Sequence, residues 1–290
     1  MLINEEKLLN LEAKANQLRH KIIDTVVYAG SGHLGGALSM IDAVTLLYYE
    51  VMNIDLEDPD WENRDRFIMS KGHAGIGLVT VFADLGWVPD EDLKTFNLTG
   101  SKYGIHLDSN VVPGVDASTG SLGHGLSLAL GMALAAEQLK KDYYVYCMLG
   151  DGECQEGSVW EAAMATAHYY ESKQLKLITM VDRNKAQIDG ETEDVMALEP
   201  FQDKWTAFGF HAETVDGHDF EAIAQAIDDA KKRSDKPTCI ILDTVKGKGV
   251  GFCAGNYRWH YGGISKTMAE EAHKDLDCYY NERLERLKGV

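Results

Sequence analysis

Two short apolar runs, each followed by a polar residue, constrain the fold of this 290-residue chain more than any other feature. The first run, residues 145–149, leads into Gly150-Asp151-Gly152, and the second, residues 177–181, is followed closely by Asn184. The helix-sized segment between them predicts a strand–helix–strand unit with parallel strands. Asp151 and Asn184 then lie in neighbouring loops at the carboxyl ends of the strands, where open α/β sheets bind their ligands.

Asp151 and Asn184 carry the oxygen atoms that suit a hard cation. Magnesium takes oxygen ligands in an octahedral shell and commonly binds one or two protein groups together with substrate phosphates. The glycines on either side of Asp151 let the backbone approach such phosphates closely. Gly-Asp-Gly alone is common in ordinary turns and indicates little. It is the presence of Asn184, one helix-sized segment later, that makes the pair indicate a metal-diphosphate site.

The net charge of −18 limits what the chain can bind. It disfavours nucleic acid and anionic membrane surfaces, and no lysine or arginine cluster offsets it locally. We therefore expect neither a nucleic-acid nor a membrane partner. A diphosphate bound by so acidic a protein needs a cation and backbone amides to neutralise it.

The composition is that of a globular protein, with 45% hydrophobic and 26% charged residues. The most apolar stretch, residues 126–136, is too short and too rich in Gly and Ala to span a bilayer and is predicted to be a buried helix. The first ten residues include acidic side chains and no apolar signal segment, so we expect a cytoplasmic protein. The five cysteines are odd in number and lack Cys-x-x-Cys spacing, which indicates buried, reduced thiols rather than a zinc site or disulfides.

Apolar spacing predicts helices and strands that alternate along the chain. The predicted elements are a helix over 8–26, a second helix starting at Ser39, a strand over 66–69, a long ordered loop over 100–125, a helix over 201–208, a strand over 210–215, a helix over 220–230 and a strand over 238–245. This alternation predicts an α/β fold with a mostly parallel sheet and helices on both faces. Because no linker divides the chain, we expect residues 1–290 to form a single domain.

Several histidines lie in glycine-rich segments. His33 follows Gly30-Ser31-Gly32, His73 follows Lys71-Gly72, and both His106 and His124 lie in the 100–125 loop. A histidine with purely local hydrogen bonds is the common alternative, but presentation on a glycine-rich loop favours a site. The unperturbed pKa of about 6.5 allows histidine to donate and accept protons near neutral pH. No two histidines show the spacing of a zinc site.

Taken in order, a series of motifs resembles the amino-terminal half of transketolase. They are Ser31-Gly32-His33, Lys71-Gly72-His73-Ala74, Gly104-Ile105-His106, residues 119–123, Gly150-Asp151-Gly152 with Asn184, Ile188-Asp189-Gly190, Asp216-Gly217-His218-Asp219 and His260. The resemblance covers nearly the whole chain and implies the thiamine-diphosphate-binding fold. It implies transfer of a two-carbon ketol unit from a ketose phosphate to an aldose phosphate, as in the pentose phosphate pathway. The implied cofactors are thiamine diphosphate and Mg²⁺, or Ca²⁺ or Mn²⁺ in its place.

Matched positions imply the role of each residue in that family. The Asp151 and Asn184 side chains and the backbone carbonyl of Ala186 would bind the metal. His33 and His260 would handle the proton on the hydroxyl next to the broken bond. His106 would contact the retained end of the ketose. The cofactor would be contacted by His73, Gly120, Leu122 and Gly152. Glu156 would lie at the cofactor and at the subunit interface.

The chain departs from the family pattern at the substrate end. Leu107 and Asp108 replace a proline and a glutamate, while Ser121 and His124 replace a proline and a glutamine. These changes allow an unusual sugar as substrate. His124 is either an additional site histidine or a polar filler, and the sequence leaves both open.

The chain has one further predicted helix after His260 and stops at Val290, where a full-length transketolase would continue. The resemblance implies that the remainder would supply the glutamate that acts on the cofactor's aminopyrimidine, the aromatic pocket for that ring and the basic residues that grip a sugar phosphate. We therefore expect a split enzyme that is active only with a separate carboxy-terminal, pyrimidine-binding subunit, in the form of an α2β2 heterotetramer. The alternatives are a subunit of a synthase of the deoxyxylulose-phosphate type and a non-catalytic assembly subunit. A magnesium-dependent phosphohydrolase is less well supported, because no acidic cluster surrounds Asp151.

Overall fold

A five-stranded parallel sheet forms the centre of the computed structural model, which describes residues 3–287. Every neighbouring pair of strands is parallel, and the spatial order is β1-β2-β3-β5-β4. The strands are β1 Arg66–Met69, β2 Val145–Gly150, β3 Leu177–Arg183, β4 His211–Asp216 and β5 Thr238–Asp243. The sequence prediction of a parallel α/β sheet is confirmed.

Helices cover both faces of this sheet. Side chains alternate along β2, so that Tyr146 and Met148 join one hydrophobic cluster while Val145, Cys147 and Leu149 join the other. The first cluster lies under α1, α2, α3, α8 and α9 and the second under α4, α5 and α7, with α6 a single turn beside the site. The helices are α1 Glu5–Ala29, α2 Leu34–Leu46, α3 Gly75–Asp84, α4 Gly125–Gln138, α5 Gly157–Lys173, α6 Thr192–Val195, α7 Phe201–Ala207, α8 Phe220–Lys232 and α9 Lys266–Leu287.

The register of β2 and β3 brings the two polar loops together. Gly150 is paired with Asp182, and the backbone N–H of Asp151 donates to the Asp182 carbonyl at 3.2 Å. Asp151 and Asn184 therefore leave the sheet side by side at its carboxyl edge, as the spacing of the two apolar runs predicts.

The predicted start of the second helix at Ser39 is wrong, because α2 begins five residues earlier, at Leu34. Gly35 and Gly36 are helical despite the low helix propensity of glycine. A Cβ atom at Gly35 would lie 2.8 Å from the Lys246 side chain. The first turn of α2 can therefore pack against Lys246 only because residue 35 is a glycine. Tertiary packing overrides local propensity here.

The predicted burial of residues 126–136 is only partly correct. Leu126, Ala129 and Ala133 are buried, but Leu128 on the opposite face of α4 is 39% exposed. The other highly apolar stretch, Leu34–Val51, is long and apolar enough to cross a membrane, and it is the only such helix within residues 3–287. Since 83% of it is buried in the fold, its composition is that of a core helix.

Four of the five cysteines, Cys147, Cys154, Cys239 and Cys253, are buried as predicted, whereas the free thiol of Cys278 is exposed. Burial raises the pKa of Cys147, Cys154 and Cys239 well above the usual thiol value, so these side chains behave as apolar core residues.

A buried ionic network ties the ends of the chain to the sheet. Arg19 of α1 makes two hydrogen bonds to the Asp42 carboxylate of α2, at 2.9 and 2.6 Å. His218 contacts the same carboxylate through Nδ1 at 2.8 Å, and its Nε2 accepts from Val245 N–H at 3.0 Å. Burial acts to raise the pKa of Asp42, but Arg19 and Arg283 more than offset it and hold that pKa well below its usual range.

We expect Asp42→Asn to lower the free energy of unfolding by about 3 kcal/mol, because it leaves the buried Arg19 without a counter-charge. The matched control is Asp142→Asn, which breaks the surface pair with Lys176 and should cost less than about 1 kcal/mol. Urea denaturation of both variants measures the difference. Equal losses in the two variants would contradict the importance of the buried pair.

Candidate active site

A cavity of about 380 Å³ opens at the carboxyl edge of the sheet. All eleven residues that the sequence singles out for catalysis, cofactor binding or metal binding line this cavity. They are His33, His73, His106, Gly120, Leu122, Asp151, Gly152, Glu156, Asn184, Ala186 and His260. Residues from six connecting segments, spread from position 33 to position 260, thus converge in one place.

The Asp151 carboxylate is buried and strongly hydrogen-bonded at the floor of the cavity. Its Oδ2 accepts from Lys185 N–H at 2.6 Å and from Arg183 Nη1 at 3.1 Å. Its Oδ1 accepts from Gly152 N–H at 2.8 Å. Burial, and then the nearby Asp182, raises the pKa of Asp151, while Arg183 opposes the increase. Additional positive charge in the cavity would therefore stabilise the ionised form.

Asp182 joins four segments beneath the cavity, and sequence reasoning gave it no role. It is fully buried and accepts hydrogen bonds from Lys71, Ser39 Oγ (2.6 Å), Asn184 Nδ2 (2.9 Å) and Thr244 Oγ1. Burial alone would raise the pKa of Asp182, but the charge of Lys71 and these hydrogen bonds lower it overall. The ionised carboxylate thereby fixes the side chain of Asn184.

The Asn184–Ala186 turn presents oxygen atoms that fit a divalent cation. Asn184 Oδ1 accepts from Ala186 N–H at 3.2 Å, and the Ala186 carbonyl accepts from Lys246 Nζ at 3.0 Å. A buried ammonium group thus lies against this carbonyl, which shows that the site accepts positive charge. Carboxylate, amide and carbonyl oxygens are the ligands that hard cations prefer. The donor set fits Mg²⁺, Mn²⁺ or Ca²⁺.

Lys71 and Lys246 place two buried cations in the cavity wall. Each is 2% exposed. Burial lowers the pKa of Lys246 to about 8, and the neighbouring Lys71 contributes to the decrease. Lys246 follows β5 in a Lys-Gly-Lys-Gly segment. The rule that identified Asp151 and Asn184, a polar residue after an apolar strand, could have found it.

Glu153 fastens the loop after β2 to two other loops. Its carboxylate accepts from Ser70 Oγ, from Gly123 N–H at 2.8 Å and from Gly150 N–H at 3.0 Å. Burial raises its pKa, and these hydrogen bonds oppose the increase. The sequence gives little sign of this role, because Glu153 looks like a residue at a solvated helix start.

Three histidines form a compact cluster above this floor. The ring centroids of His33 and His73 are 4.7 Å apart, those of His33 and His260 5.3 Å, and those of His73 and His260 5.2 Å. Burial, followed by neighbouring positive groups, lowers the pKa of His33 to about 4, of His73 to about 2 and of His260 to about 3. All three imidazoles are neutral at physiological pH.

Two nitrogen atoms in this cluster are buried without a hydrogen-bond partner in residues 3–287. They are His33 Nδ1 and His260 Nδ1. An unpaired buried polar atom is costly, and such atoms concentrate at functional sites. The cluster is thus prepared for a ligand that supplies hydroxyl groups.

The loop between α3 and α4 brings His106, Gly120 and Leu122 to the cavity because two glycines beneath it lack side chains. A Cβ atom at Gly75 would lie 2.4 Å from the Ile105 carbonyl, and one at Gly72 would lie 2.3 Å from the Thr119 carbonyl. Any side chain at either position would push the loop away from the cavity. The predicted long ordered loop is confirmed, since residues 96–124 form neither helix nor strand.

Glu156 and His124 occupy the edge of this region. Glu156 lines the cavity, is exposed and precedes the first turn of α5. His124 is exposed in front of α4 and is not among the residues that line the cavity. His20 and His273, which the sequence assigned no site role, contact each other between α1 and α9.

The parallel α/β sheet carries the oxygen atoms of Asp151, Asn184 and Ala186 and three neutral histidines at its carboxyl edge. These features define a cofactor-binding domain. A family model described as "Transketolase, thiamine diphosphate binding domain" matches residues 11–281. The chain therefore belongs to the transketolase family, in its thiamine diphosphate-binding part.

Curated relatives of similar length agree with this family. The chain is 40% identical to a 6-deoxy-6-sulfo-D-fructose transketolase subunit of Clostridium sp. (strain MSTE9), over 94% of this chain and 98% of that protein. It is 39% identical to an apulose-4-phosphate transketolase subunit of Phocaeicola vulgatus, over 96% of each. Against Homo sapiens transketolase the identity is 37%, over 94% of this chain but 43% of that protein.

Solved structures give the same result. The transketolase of Campylobacter jejuni superposes with a TM-score of 0.84 and 32% identity, over 92% of this chain and 42% of that one. A Pichia stipitis transketolase in complex with sedoheptulose 7-phosphate superposes with a TM-score of 0.82 and 31% identity, over 96% of this chain and 45% of that one.

The lowered pKa values of the three clustered histidines determine how the stability of the protein changes with pH. We expect His33, His73 and His260 to remain neutral in the folded protein down to about pH 5, whereas histidines of the urea-unfolded chain titrate near 6.5. Because the unfolded state then binds more protons, these residues reduce stability as the pH falls from about 6.5 towards 4. NMR titration of the ring protons, assigned with single His→Gln variants, measures this. Folded-state midpoints between 6 and 7 would contradict the described environment.

Proposed function

We propose that this chain is the cofactor-diphosphate-binding subunit of a two-chain transketolase, which transfers a two-carbon ketol unit from a ketose to an aldose. The observation that carries the proposal is the convergence of all eleven predicted residues in one cavity. Membership of the thiamine diphosphate-binding family supports the reaction class. Thiamine diphosphate supplies, when bound, the carbanion chemistry that allows a carbon–carbon bond next to a carbonyl to be broken and re-formed.

The diphosphate end of the cofactor is proposed to lie at the Asp151–Asn184 corner. A divalent metal ion, Mg²⁺ or Ca²⁺ or Mn²⁺ in its place, would be held by the Asp151 and Asn184 side chains and the Ala186 carbonyl. Gly152 offers a backbone amide beside it, and Lys246 adds a buried positive charge. A hard cation and a lysine together neutralise a charge that this acidic chain would otherwise repel.

The histidine cluster is proposed to manage protons on the sugar. Because His33 and His260 are neutral, each can accept a proton from the hydroxyl next to the bond that breaks and return it when the new bond forms. Their unpaired Nδ1 atoms can bind further hydroxyl groups. His106 would contact the retained end of the ketose, and His73, neutral and deeper in the cavity, would donate to the diphosphate.

The partner is proposed to be a carboxy-terminal, pyrimidine-binding subunit in an α2β2 heterotetramer. The curated relatives of matching length are themselves named as subunits. Exposed apolar side chains on α4 and α5 are available for such an assembly, among them Leu128 at 39% and Met164 at 55% exposure. The exposed Glu156 precedes α5 and matches a position where the family places a subunit contact. We propose a cytoplasmic location for the complex.

The substrate is proposed to be a sugar with an anionic group at one end. The relatives named above act on a sulfonated fructose and on apulose 4-phosphate. We place this chain in the same chemical class, acting on a sugar phosphate or a close analogue of one.

Replacing Asp151 tests the metal corner. We expect Asp151→Asn to weaken Mg²⁺-dependent binding of thiamine diphosphate at least about 100-fold. The change removes a charged metal ligand itself, which should cost more than removing a residue that only hydrogen-bonds to a ligand. Asp194→Asn, at an exposed carboxylate of α6, is the matched control and should bind normally. Calorimetric titration of the complex with its co-purifying partner gives both affinities. Unchanged binding in Asp151→Asn would refute the assignment.

Reconstitution tests the two-chain proposal. The purified chain with Mg²⁺, thiamine diphosphate, a ketose donor and an aldose acceptor should show no turnover. Addition of the co-purifying partner should restore it, since the partner completes the site. A coupled assay of the released aldose measures the rate, and substantial turnover by this chain alone would contradict the proposal.

Replacing both proton-handling histidines separates a catalytic subunit from a purely structural one. In the assembled complex we expect His33→Ala with His260→Ala to lower kcat by about 10² to 10⁴ while cofactor affinity is kept. His211→Ala, on β4 and away from the cavity, is the control. Full activity in the double variant would show that the chain serves assembly alone.

A further inference from the structure

A second, more open cavity of about 500 Å³ adjoins the active site. It shares His33, Ile188 and His260 with the first cavity and adds Tyr257, Arg258 and Tyr261. The shared histidines therefore lie between the Asp151–Asn184 corner on one side and this outer cavity on the other. The outer cavity is therefore open to the remaining carbons of a sugar whose reacting carbons lie at His33 and His260.

The wall of the outer cavity is held firmly against the histidine cluster. Gly262 and Gly32 exchange two backbone hydrogen bonds, at 2.9 and 3.0 Å. The Tyr261 ring lies 4.8 Å from that of His33, and its hydroxyl bonds Ser31 Oγ at 3.0 Å. The segment that carries Arg258 is thus fixed relative to the catalytic histidines.

Arg258 brings an uncompensated positive charge to this cavity. The side chain is exposed, and its guanidinium lies 5.9 Å from the centroid of the Tyr257 ring. Its backbone N–H is capped by Asn256 Oδ1 at 3.1 Å, which anchors the main chain rather than the charge. No carboxylate within residues 3–287 forms an ion pair with it, although the whole chain carries a net charge of −18.

From this arrangement we propose that Arg258 binds the anionic group at the end of the sugar remote from the broken bond. The proposal rests on the transketolase function proposed above and names its specificity determinant. A planar guanidinium with several N–H donors matches the oxygen atoms of a tetrahedral oxyanion, whether a phosphate ester or a sulfonate. The tyrosines and Ile188 enclose the carbon chain, while Arg258 selects the charged end. This chain thereby supplies a basic substrate contact that the sequence resemblance assigns to the proposed carboxy-terminal subunit.

The test uses the complex with its co-purifying partner and compares three donors: fructose 6-phosphate, 6-deoxy-6-sulfofructose and fructose. The quantity measured is the ratio of kcat/KM for each anionic donor to that for fructose. In Arg258→Gln this ratio should fall about 10- to 100-fold, through KM rather than kcat, because a hydrogen-bonded charge pair is lost. Arg258→Lys should keep part of this ratio. In Arg258→Gln the ratio falls further for one of the two anionic donors than for the other, and that donor carries the preferred anion, phosphate or sulfonate.

Arg286→Gln, at an exposed arginine near the end of α9, is the matched control and should keep the wild-type ratio. A ratio in Arg258→Gln equal to that of the control would overturn the proposal. So would an equal loss with charged and uncharged donors.

A binding measurement keeps this test separate from that of the reaction. Glucitol 6-phosphate is an acyclic, unreactive analogue, and calorimetry should show that Arg258→Gln weakens its binding about 10- to 100-fold relative to glucitol. Absence of turnover with every donor in the wild-type complex would defeat the proposed function. Equal binding of glucitol 6-phosphate by wild type and Arg258→Gln would defeat the role of Arg258.

Discussion

The buried pair between Lys71 and Asp182 is the interaction on which the site depends. Asp182 lies near the end of β3 inside the protein, where an isolated charge would be strongly destabilising. Lys71 supplies the counter-charge from the loop after β1. The same carboxylate accepts from Ser39 of α2, from Asn184 and from Thr244 after β5. One buried charge therefore sets the relative positions of the segments that form the cavity floor.

The electrostatics of the cavity follow from this arrangement. Burial lowers the pKa of the three clustered histidines and keeps them neutral, although the chain as a whole is strongly acidic. Lys246 adds to this effect at all three, and Lys71 at His73 and His260. Neutral imidazoles can accept protons from sugar hydroxyls, whereas imidazolium groups could not. The buried positive charge of the cavity is carried instead by Lys71 and Lys246 in its wall.

Sequence reasoning singled out residues that line the cavity, because they sit on unusual local patterns. Asp151 and Asn184 follow apolar strands, and His33, His73 and His106 lie in glycine-rich segments, so spacing and composition reveal them. The supporting residues were missed. Asp182 directly follows the apolar run 177–181, but the sequence does not show that its side chain points inward. Glu153 resembles a residue at a solvated helix start. The roles of Asp182, Glu153 and Lys246 arise from contacts between segments distant in sequence.

The same distinction applies to the fold. The alternation of strands and helices predicts the parallel sheet, since periodicity is a local property. The insertion of β5 between β3 and β4 is set by packing and has no local signal. The exposed face of α4 also has no local signal, because composition does not tell an exposed apolar residue such as Leu128 from a core residue.

The central claim is that one end of the cofactor is held by the Asp151–Asn184 corner of this chain. Crystals of the two-chain complex grown with Mn²⁺ and thiamine diphosphate test it directly, since anomalous scattering locates the metal. The account predicts a single strong peak bonded to the Asp151 and Asn184 side chains and to the Ala186 carbonyl, with the diphosphate beside it. An ordered cofactor whose diphosphate and metal lie away from Asp151 would contradict it.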